Sequence, residues 1–284
     1  MRALFEMELR KAIRNPWFII AVGISSALAV VSAVGNILYY QRYGVFDLYA
    51  HKYVSPVPGS CFKWWISLDF LQPASTLLFQ LLPLLVVIPY AWSFRTEMQS
   101  GYLNQVATRT TRKRYLAAKS AVVFLTGSLI AAVPLTLDIF MLACFIPAYL
   151  PDITEVLYLG VYTSDLWSWF FYNAPVVYVF LYTLLASCMC GFWALLVHSL
   201  SFAIDNRVAL LFAPYLGVLG LQFFSDRIYL ALGSINGPQL GLSANMRAGV
   251  ESYPQVWWVI ALEIAAVLTA SALLARRQLK EDLL

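Results

Sequence analysis

Asp138 and Glu263 are the acidic residues that fall inside long apolar runs, one on the third run and one on the sixth. Ionisable groups at such depth are costly. They face either an interhelical hydrogen bond or a polar path and interface within a bundle. Intramembrane proteolysis needs a nucleophile with a base, or two carboxylates that meet. No local motif surrounds either residue, so both are candidates for a translocation path or interface and neither is assigned catalysis. The two histidines, His51 and His198, lie far apart in the chain, and no metal-cluster spacing is present. Cys188 and Cys190 sit in an apolar run as packing residues, whereas Cys61 and Cys144 are the two that could pair. A phosphate-binding loop needs glycines ahead of Lys-Ser/Thr, so that backbone amides can approach the phosphates. Lys119-Ser120 follows Tyr115-Leu116-Ala117-Ala118, which has no glycine. The chain therefore carries no nucleotide site of its own, and no catalytic or metal-binding residue is assigned.

These residues are positioned by apolar helices. The chain is 61% hydrophobic and 12% charged, with a mean hydropathy of +0.72, and several runs reach the ~20 residues that cross a bilayer. The expectation is an all-α polytopic membrane protein, a single transmembrane unit over residues 1–284. Its six spans fall at about 17–38, 73–93, 120–149, 171–199, 208–224 and 254–275. The long third and fourth spans imply tilt, a break at Pro134 or a helix that continues past the lipid, and the fifth is short. With both termini in the cytoplasm, 14 of the 19 basic residues fall on the inner side, as the positive-inside rule requires. The net charge of +4 then reflects topology and anionic lipid, with no call for nucleic acid.

Three outer loops follow from that topology. Tyr39–Gln72 and Leu150–Phe170 are rich in aromatics that suit interfacial anchoring. Ser225–Tyr253 is punctuated by Gly233, Gly237, Pro238 and Gly241 and is expected to dip back as short helices. At the N-terminus, Arg2, Glu6, Arg10 and Arg14 share one helical face, with Glu6 placed to pair with Arg10, while Phe5, Leu9, Ala12 and Ile13 share another. This basic amphipathic helix suits the inner membrane surface, and Asn15-Pro16 turns the chain into the first span. The apolar run beyond Pro16 is too long for a signal peptide.

Between the second and third spans lies a polar, basic island, Arg95 to Lys119. Gly101 permits a turn, and Tyr102, Leu103, Val106 and Ala107 give its first half a small apolar face. Thr108 to Thr111 break the pattern, and Arg112 to Lys119 restarts a helix. In its simplest form the island is a solvated positive-inside loop. A segment held between two rigid helices can also pass a partner's push into the bilayer.

Glu97, Gly101, Thr108-Arg109, Arg112, Tyr115 and Lys119, together with the N-terminal helix and six spans, resemble the permease subunits of type-2 ABC exporters. The likeness covers most of the chain as architecture and roughly 25 residues as sequence. It departs where many members have Pro-x-Ser-Arg and this chain reads Ala107-Thr108-Arg109-Thr110. The resemblance implies an elbow helix over 1–16, a coupling segment over 95–119 and a re-entrant loop over 225–253. ATPase coupling would fall to Glu97, Gly101, Tyr102, Leu103, Val106 and Arg109. It further implies two copies of a separate ATPase that binds ATP and Mg, and a second permease copy. The setting would be a bacterial inner membrane, and the cargo a peptide, drug or lipid-like compound. A non-transporting six-span scaffold or sensor that presents the basic loop to a partner is the alternative.

Overall fold

The computed structural model describes residues 2–44, 60–70, 72–101, 111–151, 161–162, 164–204, 206–232, 237–248 and 253–281. Among them every regular element is helical. Helix α1 (Arg2–Ile13) leads through Asn15 into α2 (Pro16–Tyr39), which ends in a π-turn at Tyr40–Gly44. Then come α3 (Pro73–Leu85), α4 (Ser93–Gln99), α5 (Arg112–Phe145), α6 (Ser168–Asn173) and α7 (Pro175–Leu200). The series closes with α8 (Arg207–Leu232), α9 (Leu242–Asn245) and α10 (Trp257–Glu281). Five helices are long and apolar enough to cross a bilayer: Pro16–Arg42, Lys113–Phe145, Pro175–Leu200, Arg207–Ala231 and Trp257–Arg277.

The centre of the bundle is α5. It has 34 residues, or about 51 Å at the helical rise, and packs against α1, α2 and α7. It passes through Pro134 without a break and begins well before the apolar run, so the length seen in the sequence is a continuing helix. Its contact with α7 is close because glycines face it. A Cβ on Gly191 would lie 2.5 Å from Ser128 Oγ and 2.6 Å from the Phe124 ring, and one on Gly127 would lie 2.8 Å from Ala194 Cβ. Small residues let apolar helices approach where lipid gives no hydrophobic drive to do so.

The expected second span is not one continuous helix. Proline disfavours helix in the residue before it and supplies no N–H, so Pro89 leaves Leu85 without its usual donor. Helix α3 stops at Leu85, 13 residues long, and the chain continues in turns through Val86–Trp92 before α4. The carbonyls of this loosened stretch are taken by side chains. Trp193 Nε1 donates to Pro83 O at 2.9 Å and Trp92 Nε1 to Ile88 O at 2.7 Å. Asn15 Nδ2 donates to Pro89 O at 2.7 Å. His198 Nδ1 lies 3.0 Å from Ala91 O, and since a carbonyl only accepts, Nδ1 carries the proton. An apolar surround tolerates broken helix only when its backbone groups are satisfied in this way.

One other expectation changes. Helix α8 runs to Leu232, eight residues beyond the expected end of the short fifth span, because exposed Asp226 and Arg227 continue the helix rather than open a loop. Helix α1 packs its Phe5-Leu9-Ala12 face on the protein core, leaving Met7 and Ile13 exposed.

Removing the indole N–H with Trp193→Phe strands the Pro83 carbonyl in the bundle. The expected cost is about 1–3 kcal/mol, seen as a lowered unfolding temperature in detergent, with little loss of helical circular dichroism.

Candidate functional site: a buried ion cluster where α1, α4 and α5 meet

Glu8, Glu97 and Lys119 are buried, at 0%, 6% and 0% exposure, and each comes from a different helix. Glu8 lies on the apolar face of α1, on the same stripe as Phe5 and Ala12. Its Oε2 accepts from the Tyr90 hydroxyl at 2.5 Å and stands 3.8 Å from Lys119 Nζ. Glu97, on α4, accepts from Lys11 through Oε1 and from both Lys119 and Tyr115 through Oε2. Lys119 Nζ also donates to the Tyr115 hydroxyl at 3.3 Å and lies over the Tyr90 and Tyr115 rings, 5.1 and 5.5 Å from their centroids. Two acids and two bases thus neutralise one another inside a box of two tyrosines. Glu97 lies outside the spanning helices. Burial alone would raise its carboxyl, but the charge of Lys119 and the hydrogen bonds from Lys11, Lys119 and Tyr115 outweigh burial and hold it below its usual range.

The cluster ties the N-terminal helix, the segment after the second apolar run and the start of α5 into one unit. Phe94, Tyr115 and Leu116 pack together beside it, with Leu4, Met98 and Phe202 against them. Phe202 and His198 from the end of α7 meet the Phe94 ring edge-on, at centroid distances of 4.8 and 6.0 Å. After α4 the chain turns at Ser100–Gly101, where Gly101 takes φ +72°, a conformation that favours glycine. Tyr102, Leu103, Val106 and Arg109 lie outside the described residues.

A second polar group forms at the far end of the bundle around Asp138, Asp69 and Arg247, all buried. Asp138 Oδ2 accepts from Ile66 N at 2.8 Å, fastening the 60–70 segment to α5. Asn36 Nδ2 donates to Asp69 Oδ2 at 2.8 Å. Arg247 donates to Asp69 O at 2.6 Å and to Ser75 Oγ at 2.7 Å, with its guanidinium carbon 3.9 Å from the Phe70 ring centroid. Glu263 does not join this group. Its Oε1 accepts from Gly241 N at 3.0 Å and its Oε2 from Asn245 Nδ2 at 2.9 Å, holding the Gly241–Asn245 turn to α10. Both intramembrane carboxylates therefore hold backbone of the loops beside them, and the structure does not bring them together. In the loop before α6, burial pushes the Asp165 carboxyl up to about 6 against a hydrogen bond from Tyr162 N.

His198 is a core histidine held through Nδ1 by Ala91 O while its Nε2 is buried without a hydrogen-bond partner, and all four cysteines are free thiols, Cys61 and Cys144 included. Among the described residues no group of three metal-ligating side chains converges. Sequence reasoning missed Glu8, although a carboxylate on the apolar stripe of an amphipathic helix is a visible signal. It also missed Arg247, for which no local pattern exists. No protein-family profile, curated protein or solved structure matches this chain.

Breaking the cluster on one side leaves a buried charge uncompensated. Lys119→Met is expected to cost about 3–5 kcal/mol, and adding Glu97→Gln to restore part of it, measured by thermal unfolding in detergent. The folded Glu97 carboxyl sits below its ordinary value near 4.5. Its ionised form contributes stability that is complete above that pH and is lost as pH falls through the folded value. A pH series of unfolding temperatures should show this acid loss in the native chain and a flatter profile in Glu97→Gln.

Proposed function

We propose that this chain is the permease subunit of a type-2 ABC exporter, moving a hydrophobic or amphipathic compound such as a peptide, drug or lipid-like molecule across a bacterial cytoplasmic membrane. The observation that carries the reading is the ion cluster. The segment after the second apolar run reaches the bilayer through Glu97, and Glu97 is locked to the elbow-like α1 and to the base of α5. A force applied to the 95–119 segment therefore has a stiff route into the central helix. Supporting it, α3 and the turns after it link the Ser75–Arg247 end of the bundle to the Glu97–Lys119 end. In this reading that link serves as the sixth crossing of the family layout, with both termini on the cytoplasmic side.

In this reading Glu97 does not dock into the ATPase itself. It anchors the coupling segment from behind, while Gly101, Tyr102, Leu103, Val106 and Arg109 face the ATPase. Two ATPases bind ATP and Mg and close on two permease copies, and the closure is passed through α4 and α5 to open a path between the copies. Asp138 and Glu263 support the outer loops that bound that path.

The test is co-purification with an ATPase encoded beside this gene, followed by ATP hydrolysis and export assays in proteoliposomes. Tyr102→Pro, which breaks the docking segment without touching the ion cluster, is expected to lower export at least tenfold while the permease stays folded. Unchanged export by this variant sinks the coupling assignment. Absence of any ATPase in the complex sinks the family reading.

A further inference from the structure

Asp165 lies in the turn that leads into α6 and is 5% exposed. Its hydrogen bonds stay within that turn. Oδ2 accepts from Tyr162 N at 2.7 Å, its own N–H donates to Tyr162 O at 3.0 Å, and its carbonyl accepts from Ser168 N at 3.2 Å. Oδ1 is buried without a partner, and among the described residues no lysine or arginine pairs with the carboxylate. The titratable groups that face it are three hydroxyls, Tyr172 from α6 and Tyr178 and Tyr182 from α7. Each already gives its proton elsewhere. Tyr172 donates to Val161 O at 2.5 Å, Tyr178 to Ala248 O at 3.1 Å, and Tyr182 shares its proton between Leu166 O at 3.1 Å and Gln255 Oε1 at 2.8 Å. A hydroxyl whose proton is engaged still has a lone pair. The oxygens around Asp165 can therefore accept from a neutral acid, but they offer an ionised one nothing beyond the Tyr162 N–H.

The same turn is held under strain. Trp167 takes φ +61°, a left-handed backbone that a bulky residue adopts only when its surroundings impose it. Here α7 imposes it: the Trp167 ring packs edge-on against Tyr182, with 5.3 Å between centroids, and Leu166 O meets the Tyr182 hydroxyl. The turn can leave α7 without unmaking the bundle, because Tyr182 keeps Gln255, and Gln255 Nε2 keeps Ala244 O and Arg247 O. A charge left short of donors in the closed turn is solvated in the open one, and opening also relaxes Trp167.

We propose that Asp165 is a proton-operated latch: as a neutral acid it keeps the turn before α6 closed on α7, and as a carboxylate it releases that turn, so the loop responds to the pH of the compartment it faces. Burial raises the carboxyl from its ordinary value near 3.8 to about 6. The stability that the neutral acid lends the closed turn is fully present below the lower value and is lost as pH rises through the higher one. This is the opposite sign to Glu97, and it depends on neither a cargo nor an ATPase.

The test is hydrogen–deuterium exchange of the full-length chain in detergent at about pH 4 and about pH 7, which bracket the loss. Mass spectrometry reads peptides within 164–174 against peptides from α7, with rates divided by those of free amides at the same pH. Opening of the 164–174 segment is expected to rise about tenfold or more at the higher pH. Asp165→Asn keeps an acceptor for Tyr162 N and adds a neutral donor, so it is expected to hold the segment equally closed at both. If that variant does not fold, Asp165→Ser, equally without charge, replaces it and is read for the same loss of pH dependence. Equal opening of the native segment at the two pH values overturns the latch, and so does a rise that persists in the uncharged variant.

Discussion

Glu8, Glu97 and Lys119, enclosed among α1, α4 and α5 and joined from the rim by half-exposed Lys11, set the constraint from which the rest of this end of the molecule follows. A buried charge is tolerable only when paired and hydrogen-bonded. Glu8, Glu97, Lys11 and Lys119 meet that condition only if all three helices hold their places together. The cluster therefore works less as an added stabiliser than as a register device. Shifting α1 by one turn, about 5.4 Å, would carry Glu8 away from Lys119 and Lys11 away from Glu97 at once. Apolar packing among Phe94, Tyr115 and Leu116 flanks the buried part of the cluster, while the Lys11–Glu97 pair opens to the rim.

The far end is arranged by the same logic with different chemistry. There the charged and polar groups hold backbone as well as one another: Asp138 holds Ile66 N, Arg247 holds Asp69 O and Ser75 Oγ, and Glu263 holds Gly241 N and Asn245 Nδ2. Loops that pack on an apolar bundle must have their N–H and C=O groups satisfied. Side chains from the helices and from the loops themselves do this where strand or helix ladders are absent. One end of the protein is thus fixed helix to helix, and the other loop to helix.

How much of this was legible in the sequence depended on whether the signal was local. Apolar runs bounded by Asn15-Pro16 and by the basic Arg112–Lys119 stretch marked α2 and α5, and the run over 171–199 marked α7 with a start four residues early. The second run was misjudged as one helix, since its hydropathy is uniform and only Pro83 and Pro89 report the break. Helix α8 was underestimated because Asp226-Arg227 read as a loop. Glu97 and Lys119 were both singled out, the first as a docking residue and the second as an anchor. Their partnership with each other and with Glu8 spans three helices and is invisible to periodicity. Arg247 reaches residues 172 and 178 positions away, a separation that no single-sequence pattern encodes.

The side-chain-held carbonyls between Pro83 and Ala91 carry a further consequence. In an uninterrupted helix each carbonyl has one possible donor, fixed by chain geometry, so bending forfeits bonds. Here the donors are Trp193, Trp92, Asn15 and His198, and two of them, Trp193 and His198, are buried side chains of α7. The direction of the stretch is therefore written by its neighbours rather than by its own ladder of bonds. Tyr90, within the same stretch, donates to Glu8, so the course of the chain here and the position of α1 are fixed by one set of contacts.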